Sequence, residues 1–570
     1  MEYIERKFIM KDIKEKLRII DFNIITTFLL SFVFLAISVT SILFIVGIGI
    51  CSVYFPMYIL LSAIGTFLFF YKEKNVRNLK KIFVNILISV IILFLTILIA
   101  NIFYDNTWDG NTYHKEMIGL MKNGMNPVFN YDSGDIWVQH YARAFETFSA
   151  VIYSYTGNIE SGKSLNLIFI FLLFVQVYKY LREKNVNCFI CLGVALVVAL
   201  NPISLVQFSC YYVDGFFANT LFFIILLLLE ITEKKVDNMK LYWLFALIVI
   251  CVNIKFTSLL ICTMFIGAFV IYWLYNSIKE KRFIKTFKKI IIYFGIVYVI
   301  GVVFVGASVY IKNFVKFGHP FYPLMGNSTN VDIVSDNEPS GMSEYNHVEK
   351  FIYSLFSKTY TWYDKKPELK IPFSVHESEF ESMYYADTRV GGFGTLYSGI
   401  LLLSIPVLVI LVIKSFIKKK KEGILLLLLL LCIILPIPVL PVAWQLRYYP
   451  QFYLLPIIAV FFLVNNTTNK NILKKIYSSI LILALLANIC LYMPSIYKKY
   501  KESIKINRQL IYLYEKSLNN ELIVSIEDCP NAGARYNLQD KNIKYKFLLE
   551  KMDNGTPMYY RFFYRIEERN

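Results

Sequence analysis

The sequence predicts an all-α polytopic membrane protein with about 13 transmembrane helices, extracytoplasmic loops and a small C-terminal α+β segment. Three observations predict it. Of 570 residues, 57% are apolar and only 18% charged, against about 25% charged in soluble domains. The apolar residues run in uninterrupted blocks near the ~20 residues that cross ~30 Å of hydrocarbon. The net charge of +18 is concentrated in alternate connections between those blocks.

The blocks fall at 24–46, 51–71, 82–104, 165–181, 188–208, 216–232, 240–254, 258–276, 288–311, 395–413, 424–442, 449–465 and 473–494. Alternate connections from the N-terminus (1–18, 72–81, 179–187, 233–240, 279–289, 414–422 and 466–475) hold 31 Lys and Arg against 10 Asp and Glu. The remaining connections hold 28 basic and 31 acidic residues. Lys and Arg mark cytoplasmic loops, so the chain reads as an integral plasma-membrane protein with its N-terminus inside and its C-terminus outside. An odd number of crossings agrees. The first block lacks a small-residue cleavage pattern and reads as a retained helix. The basic runs at 279–289 and 418–421 are topology signals on this reading, and nucleic acid is not an expected partner.

Three outer segments are too long to be turns: 105–164, 312–394 and 495–570. The chain divides into a membrane domain, 1–494, carrying the first two as loops, and a small extracytoplasmic domain, 495–570. There a basic helical stretch precedes strand-like runs at 521–526 and 559–566, and about 75 residues make only a marginal core. Cytoplasmic connections of 8 to 18 residues leave no room for a nucleotide-binding domain, and no G-x-x-x-x-G-K loop occurs. ATP-driven transport by this chain alone is excluded. Among the nine cysteines only Cys529 lies in an outer segment, so no external disulfide framework is expected. Cys188 and Cys191 form a lone C-x-x-C and read as small hydrophobes. Five scattered histidines offer no zinc constellation.

The third block delivers the chain into Tyr-Asp-Asn-Thr-Trp-Asp-Gly-Asn-Thr-Tyr-His-Lys-Glu-Met at 104–117. Asp109 is followed at spacing four and five by Tyr113 and His114. Residues 112–122 read as a short amphipathic helix, with Met117, Ile118 and Met121 on one side, stopped by Asn123-Gly124 and Asn126-Pro127. Such a helix would lie on the bilayer and hold the preceding acid beside the headgroups. By local pattern Asp109 is either a helix N-cap or a functional acid. Asp105 reads as a solvated loop acid.

Further polar groups fall at outer helix ends. Asp214 ends the short connection Gln-Phe-Ser-Cys-Tyr-Tyr-Val-Asp at 207–214, where an acid needs a partner, a cation or water; capping of the next helix is the plain alternative. Lys255 is the one base in an apolar hairpin, and snorkelling to headgroups would explain it equally. Arg447, in Trp-Gln-Leu-Arg-Tyr-Tyr-Pro, sits where Lys and Arg are scarce; its fork suits a phosphate, and an aromatic-belt anchor is the rival reading. In the second long segment, Gly318-His-Pro-Phe-Tyr-Pro makes a rigid turn presenting His319 and Tyr322. That segment ends Asp-Thr-Arg-Val-Gly-Gly-Phe-Gly at 387–394, where Asp387 and Arg389 form either a structural ion pair or a sugar-binding one. Tyr360, Trp362 and Tyr363 suit sugar stacking or loop packing.

Asp-x-x-x-Tyr-His after a membrane span, then a short surface helix and Gly-x-Asn-Pro, resembles the first outer loop of the GT-C superfamily of integral-membrane glycosyltransferases. These include protein mannosyltransferases and aminoarabinose transferases. The likeness is best over 104–127 and, as a fold, extends over most of 20–494. It implies that Asp109 is catalytic, that Asp214 positions the acceptor or helps hold a divalent ion, magnesium or manganese, with Asp109, and that Arg447 binds a lipid phosphate, joined by Lys255. Tyr113, His114, His319, Tyr322, Asp387 and Arg389 are the remaining substrate-binding candidates. The implied activity is inverting transfer of a sugar from a polyprenyl-phosphate donor to an acceptor hydroxyl of an envelope glycan, lipid or protein, outside the cytoplasm. A lipid or glycan flippase and a diphosphate-lipid polymerase or ligase are the alternatives. The flippase predicts no covalent product, and the polymerase predicts released diphosphate.

Overall fold

The computed structural model describes residues 19–72, 79–129, 135–234, 236–325, 337–417, 421–465, 472–526, 533–548, 552, 554–559 and 562–568. Cys529 and much of the basic loops at 1–18, 72–81, 414–422 and 466–475 lie outside the described residues.

Every one of the thirteen blocks is helical, with ends shifted by a few residues. Among the described residues nine helices are long and apolar enough to cross a membrane, beginning with Phe22–Ile45, Tyr54–Lys72 and Leu79–Ile102. The other blocks form shorter apolar helices, Cys188–Ala199, Asn238–Cys251, Gly423–Val439 and Pro450–Val464. Proline accounts for several of these breaks. Pro202 opens a new helix capped by Asn201, whose side chain accepts from the Ser204 amide, and Pro436 and Pro450 start fresh turns in the same way.

Phe22–Ile45 and Asp214–Glu233 run through the centre of the bundle; the first buries most of its side chains and the second nearly all. Peripheral helices instead present apolar rows outward, among them Leu60, Ile91, Leu98, Ile292 and Val409. Such rows have no place in water and face lipid. One continuous apolar core joins the helices from Ile25 to Tyr492.

The helix beginning at Phe283 changes to π geometry over Val299–Val305 and again over Ala307–Ile311. The cause is the neighbouring hairpin. Asn253 donates to the Gly301 carbonyl at 2.8 Å, and a methyl at Gly301 would lie 2.9 Å from Val252. This intrusion anchors the turn that carries Lys255.

The three long connecting segments gather at one end of the bundle. Tyr104 donates its amide to Ser503 at 2.9 Å, Tyr384 bonds Glu502, and Lys115 reaches Asn537 at 2.9 Å. The tail is α+β as expected, with more structure than its sequence signalled. A single helix, Met493–Asn519, leads into β1 (Asn520–Ile526), β2 (Lys546–Leu548), β3 (Thr556–Pro557) and β4 (Phe562–Glu568), with a short helix, Arg535–Asp540, between β1 and β2. The sheet order is β2-β1-β4-β3, with β1 and β2 parallel and the other pairs antiparallel. Ile506, Leu510, Leu513, Leu522, Val524 and Phe562 form its own core.

Two expectations for the first loop are corrected. The helix Lys115–Lys122 does not lie on a surface: Lys115, Glu116, Met117, Ile118 and Met121 are all buried. The tail covers its second face, with Tyr536 pressed on Gly119 and Arg535 paired to Glu116 at 2.8 Å. Asp105 is not solvated; it is buried and accepts from the Thr107 amide at 2.9 Å, the Thr107 hydroxyl at 2.6 Å and the Tyr211 amide at 2.7 Å. A carboxylate with three donors is a structural peg, and nothing in its sequence spacing distinguishes it from a loop acid.

Candidate active site

Asp214 is the first residue of its helix, and Val213 occupies the cap position without a side-chain cap bond. Capping therefore does not explain the acid. Its Oδ1 bonds the Lys255 ammonium, and its Oδ2 accepts from Gln207 at 3.2 Å and stands 3.6 Å from Arg447 Nη1. Asp214 and Lys255 are only 3% and 5% exposed. Lys255 does not snorkel: extended backbone at the start of helix Phe256–Lys279 aims its side chain inward, and the ammonium sits 3.9 Å from the centre of the Tyr448 ring. Burying one ion at such a site without a partner would cost several kcal/mol, so the pair stands or falls together.

Arg447 is 6% exposed and lies in the 3-10 turn Leu446–Tyr448. Its guanidinium sits beside the rings of Tyr212 and Tyr448, 5.0 Å from each centre. Nε and Nη2 both point to Gln445 Oε1, at 3.2 and 3.1 Å. Nη2 also ion-pairs with Asp387 at 2.7 Å. Nη1 is buried and, apart from the ion pair with Asp214, has no hydrogen-bond partner among the described residues. Asp387 in turn pairs with Arg389 at 3.1 Å, and Arg389 lies 4.9 Å over the Tyr363 ring. The loop can come this close because Gly391 adopts φ +65, where a methyl would stand 3.0 Å from the Thr359 backbone.

Asp109 enters from the first loop. Asn111 donates to the Asp105 and Thr107 carbonyls at 2.9 and 2.8 Å, and Gly110 rests on Asp105, where a methyl would lie 2.1 Å from a carboxylate oxygen. The following turn, Gly110–His114, is π-helical, and Asp109 makes no side-chain cap bond to it. The N-cap reading is thereby excluded. Tyr113, His114, Asp387 and Arg447 are the polar groups around the Asp109 carboxyl. Burial, reinforced by Asp387, raises its pKa above the usual carboxylate range, while Arg447, His114 and Tyr113 draw it partly back. Behind it, His114 Nδ1 meets Glu146 Oε1 at 2.5 Å, both buried.

The fold thus brings together Asp109, Tyr113, His114, Asp214, Lys255, Asp387, Arg389 and Arg447. It leaves His319 and Tyr322 out of the charged cluster. His319 Nδ1 accepts the Phe321 amide at 3.2 Å, while Tyr322 stacks on Phe317 with ring centres 3.9 Å apart. Both shape the turn whose Phe321 packs on Phe256, next to Lys255. Tyr360, Trp362 and Tyr363 pack the second loop: Tyr360 pairs with Val390, Trp362 meets Tyr385, and Tyr363 underlies Arg389. Sequence reasoning missed Gln207, Gln445, Tyr212 and Tyr448, which orient the ions, although each lies within a few residues of an ion it did single out. Glu146 carried no local signal at all.

The donor set does not fit a divalent ion. Both Asp214 oxygens are engaged by Lys255, Gln207 and Arg447, which a metal would have to displace. No group of three or more His, Cys, Asp or Glu suited to a metal occurs among the described residues. Around Arg447 three cations, Lys255, Arg389 and Arg447, meet three carboxylates, Asp109, Asp214 and Asp387.

No protein-family model matches this chain, and no curated protein matches it. Among solved structures it is similar to the crystal structure of ArnT from Cupriavidus metallidurans bound to undecaprenyl phosphate, with a TM-score of 0.45, 10% identity, and coverage of 80% of this chain and 84% of that one. The apo structure of the same protein gives a TM-score of 0.43, 9% identity, and coverage of 80% and 83%.

Proposed function

We propose that this chain is a membrane glycosyltransferase of GT-C type, moving a sugar from a polyprenyl-phosphate donor to an acceptor hydroxyl. The observation that carries the reading is a buried guanidinium whose Nη1 makes no hydrogen bond among the described residues, only a 3.6 Å ion pair with Asp214, set near a carboxyl that burial holds above its usual range. Asp109 takes the acceptor proton as the acceptor oxygen attacks the anomeric carbon. The bond from that carbon to the phosphate oxygen breaks, and its electron pair leaves with the polyprenyl phosphate. Arg447, held by Asp387 and Gln445, and Lys255, held by Asp214, stabilise the departing charge. Attack opposite the leaving group inverts the anomeric centre. Asp214 serves by fixing Lys255, and the reaction as written runs without a metal.

The positive-inside pattern supports an extracytoplasmic position for this end of the bundle, where an already activated, membrane-embedded donor removes any need for nucleotide. The acceptor is an envelope glycan, lipid or protein. The test supplies membranes with labelled polyprenyl-phosphate sugars and compares wild type with Asp109→Asn. Freed polyprenyl phosphate from the wild type alone is the expected result. Freed diphosphate, or sugar crossing the membrane without a covalent product, would overturn the reading.

A further inference from the structure

Beyond the charged cluster, on the far side of Tyr113, lies a small aromatic pocket that the reaction above does not use. Tyr113, Trp137 and Tyr141 ring its mouth, with centroids 5.9 to 6.4 Å apart, and Met117, Glu146 and the buried Arg143, whose guanidinium donates to Met117 Sδ and the Gln139 carbonyl, complete its lining. Glu146 is 3% exposed. Its Oε1 is held by His114, while its Oε2 is buried without a hydrogen-bond partner among the described residues. An orphaned carboxylate oxygen in such a place is costly unless something donates to it. The cavity measures about 10 Å³ as swept by the centre of a water-sized sphere, which is room for one hydroxyl-sized group and not for a ring.

We infer that this pocket is a sugar subsite: a pyranose ring lies across Tyr113, Trp137 and Tyr141, and one ring substituent dips inward to donate its hydroxyl to Glu146 Oε2. The inference rests on the glycosyl-transfer reading and adds its specificity element. Tyr113 joins the two sites, since it neighbours Asp109 while its ring walls the pocket. The aromatic rim accepts the apolar face of many sugars, and the single buried acceptor selects those with a hydroxyl at the right carbon. A site built to hydrogen-bond a substrate hydroxyl rejects analogues that lack it.

The experiment uses the full chain in lipid nanodiscs. Binding is read by the part of the tryptophan emission change that Trp137→Phe removes, and by competition with a labelled lipid. The probes are undecaprenyl phosphate, undecaprenyl phosphate bearing glucose, galactose or mannose, the monodeoxy forms of each, and the free methyl glycosides. Sugar-bearing lipid that perturbs Trp137 where bare undecaprenyl phosphate does not supports the inference with the donor sugar as occupant. The same response to methyl glycosides alone supports it with the acceptor sugar as occupant. In either case one deoxy form and Glu146→Gln should each weaken binding by about tenfold to a hundredfold, with no further loss when combined, as for one hydrogen bond to a charged group. Equal binding of all sugars by wild type, Glu146→Gln and Trp137→Ala would overturn it. Trp137 lies at the half-buried rim, so Trp137→Ala carries the test if Glu146→Gln fails to accumulate. Asp109→Asn separates the two readings. Turnover that survives this change counts against Asp109 as base, whereas the Glu146 dependence of binding judges the subsite alone.

Discussion

Arg447 ion-pairs with Asp387 at 2.7 Å through Nη2 and leaves Nη1 buried without a hydrogen-bond partner among the described residues. The pairing fixes the plane of the guanidinium, with Gln445 sharing the same edge. Nη1 keeps only a 3.6 Å ion pair with Asp214, and on the proposed reading its free donor meets an oxyanion that arrives with the substrate.

Replacing Arg447 by Ala should lower kcat/KM for the lipid donor by about 10²- to 10³-fold. Acceptor dependence should change far less. The protein should still accumulate, because Asp214 keeps Lys255 and Gln207 and Asp387 keeps Arg389. Separate titrations of donor and acceptor check this, and equal losses in both would remove the phosphate role.

Asp109→Asn should reduce turnover by about 10²- to 10⁴-fold while donor binding persists. The base works only when deprotonated. With its pKa raised by burial and then by Asp387, turnover should fall as pH drops through that raised value and level off above it. Asp387→Asn removes one of the groups that raise it and should shift the inflection to lower pH. A pH profile of kcat on both proteins reads the shift.

Lys255→Met would leave Asp214 buried with its nearest cation gone and should destabilise the membrane domain by about 3–5 kcal/mol. Adding Asp214→Asn should recover part of that loss. Thermal unfolding in detergent of the two single variants and the double variant measures the coupling.

The tail should grip the first loop in a pH-dependent way. Asp540 accepts from the Tyr153 hydroxyl at 2.5 Å and the Ile159 amide at 2.6 Å, and burial raises its carboxyl to about 7, with Glu160 adding to the rise and Lys122 opposing it. The free carboxyl titrates near 3.9. A raised value means that the docked form holds the proton more tightly, so this contribution is complete below about pH 4 and is lost as pH rises through about 7. Limited proteolysis of the tail should accelerate severalfold across that window, and Asp540→Asn should flatten the dependence.

Much of the site was legible in the chain. Asp109, Asp214, Lys255 and Arg447 each break a strong local pattern: acid or base beside an apolar span, on the side where cations are scarce. Their alternative readings were not separable at that level, because a cap, a snorkelling lysine and a buried ion pair share the same neighbours in sequence. His319 and Tyr322 looked equally exposed to substrate, yet the Gly318 turn folds them onto Phe321 and Phe317. Glu146 lies in an ordinary helical stretch, Ala144–Thr156, and only its orphaned oxygen sets it apart.

Hydropathy and the placement of charge determined the helical membrane architecture, the three long segments gathered at one end and the α+β tail, because each is a property of contiguous residues. The tertiary structure alone decided which ions neutralise one another. Asp109, Asp214, Lys255, Asp387 and Arg447 come from five separate connections more than three hundred residues apart at the extremes. Their partners are chosen by contacts shorter than 4 Å in a buried interior, where an ion's energy depends on its nearest neighbour in space and not in sequence.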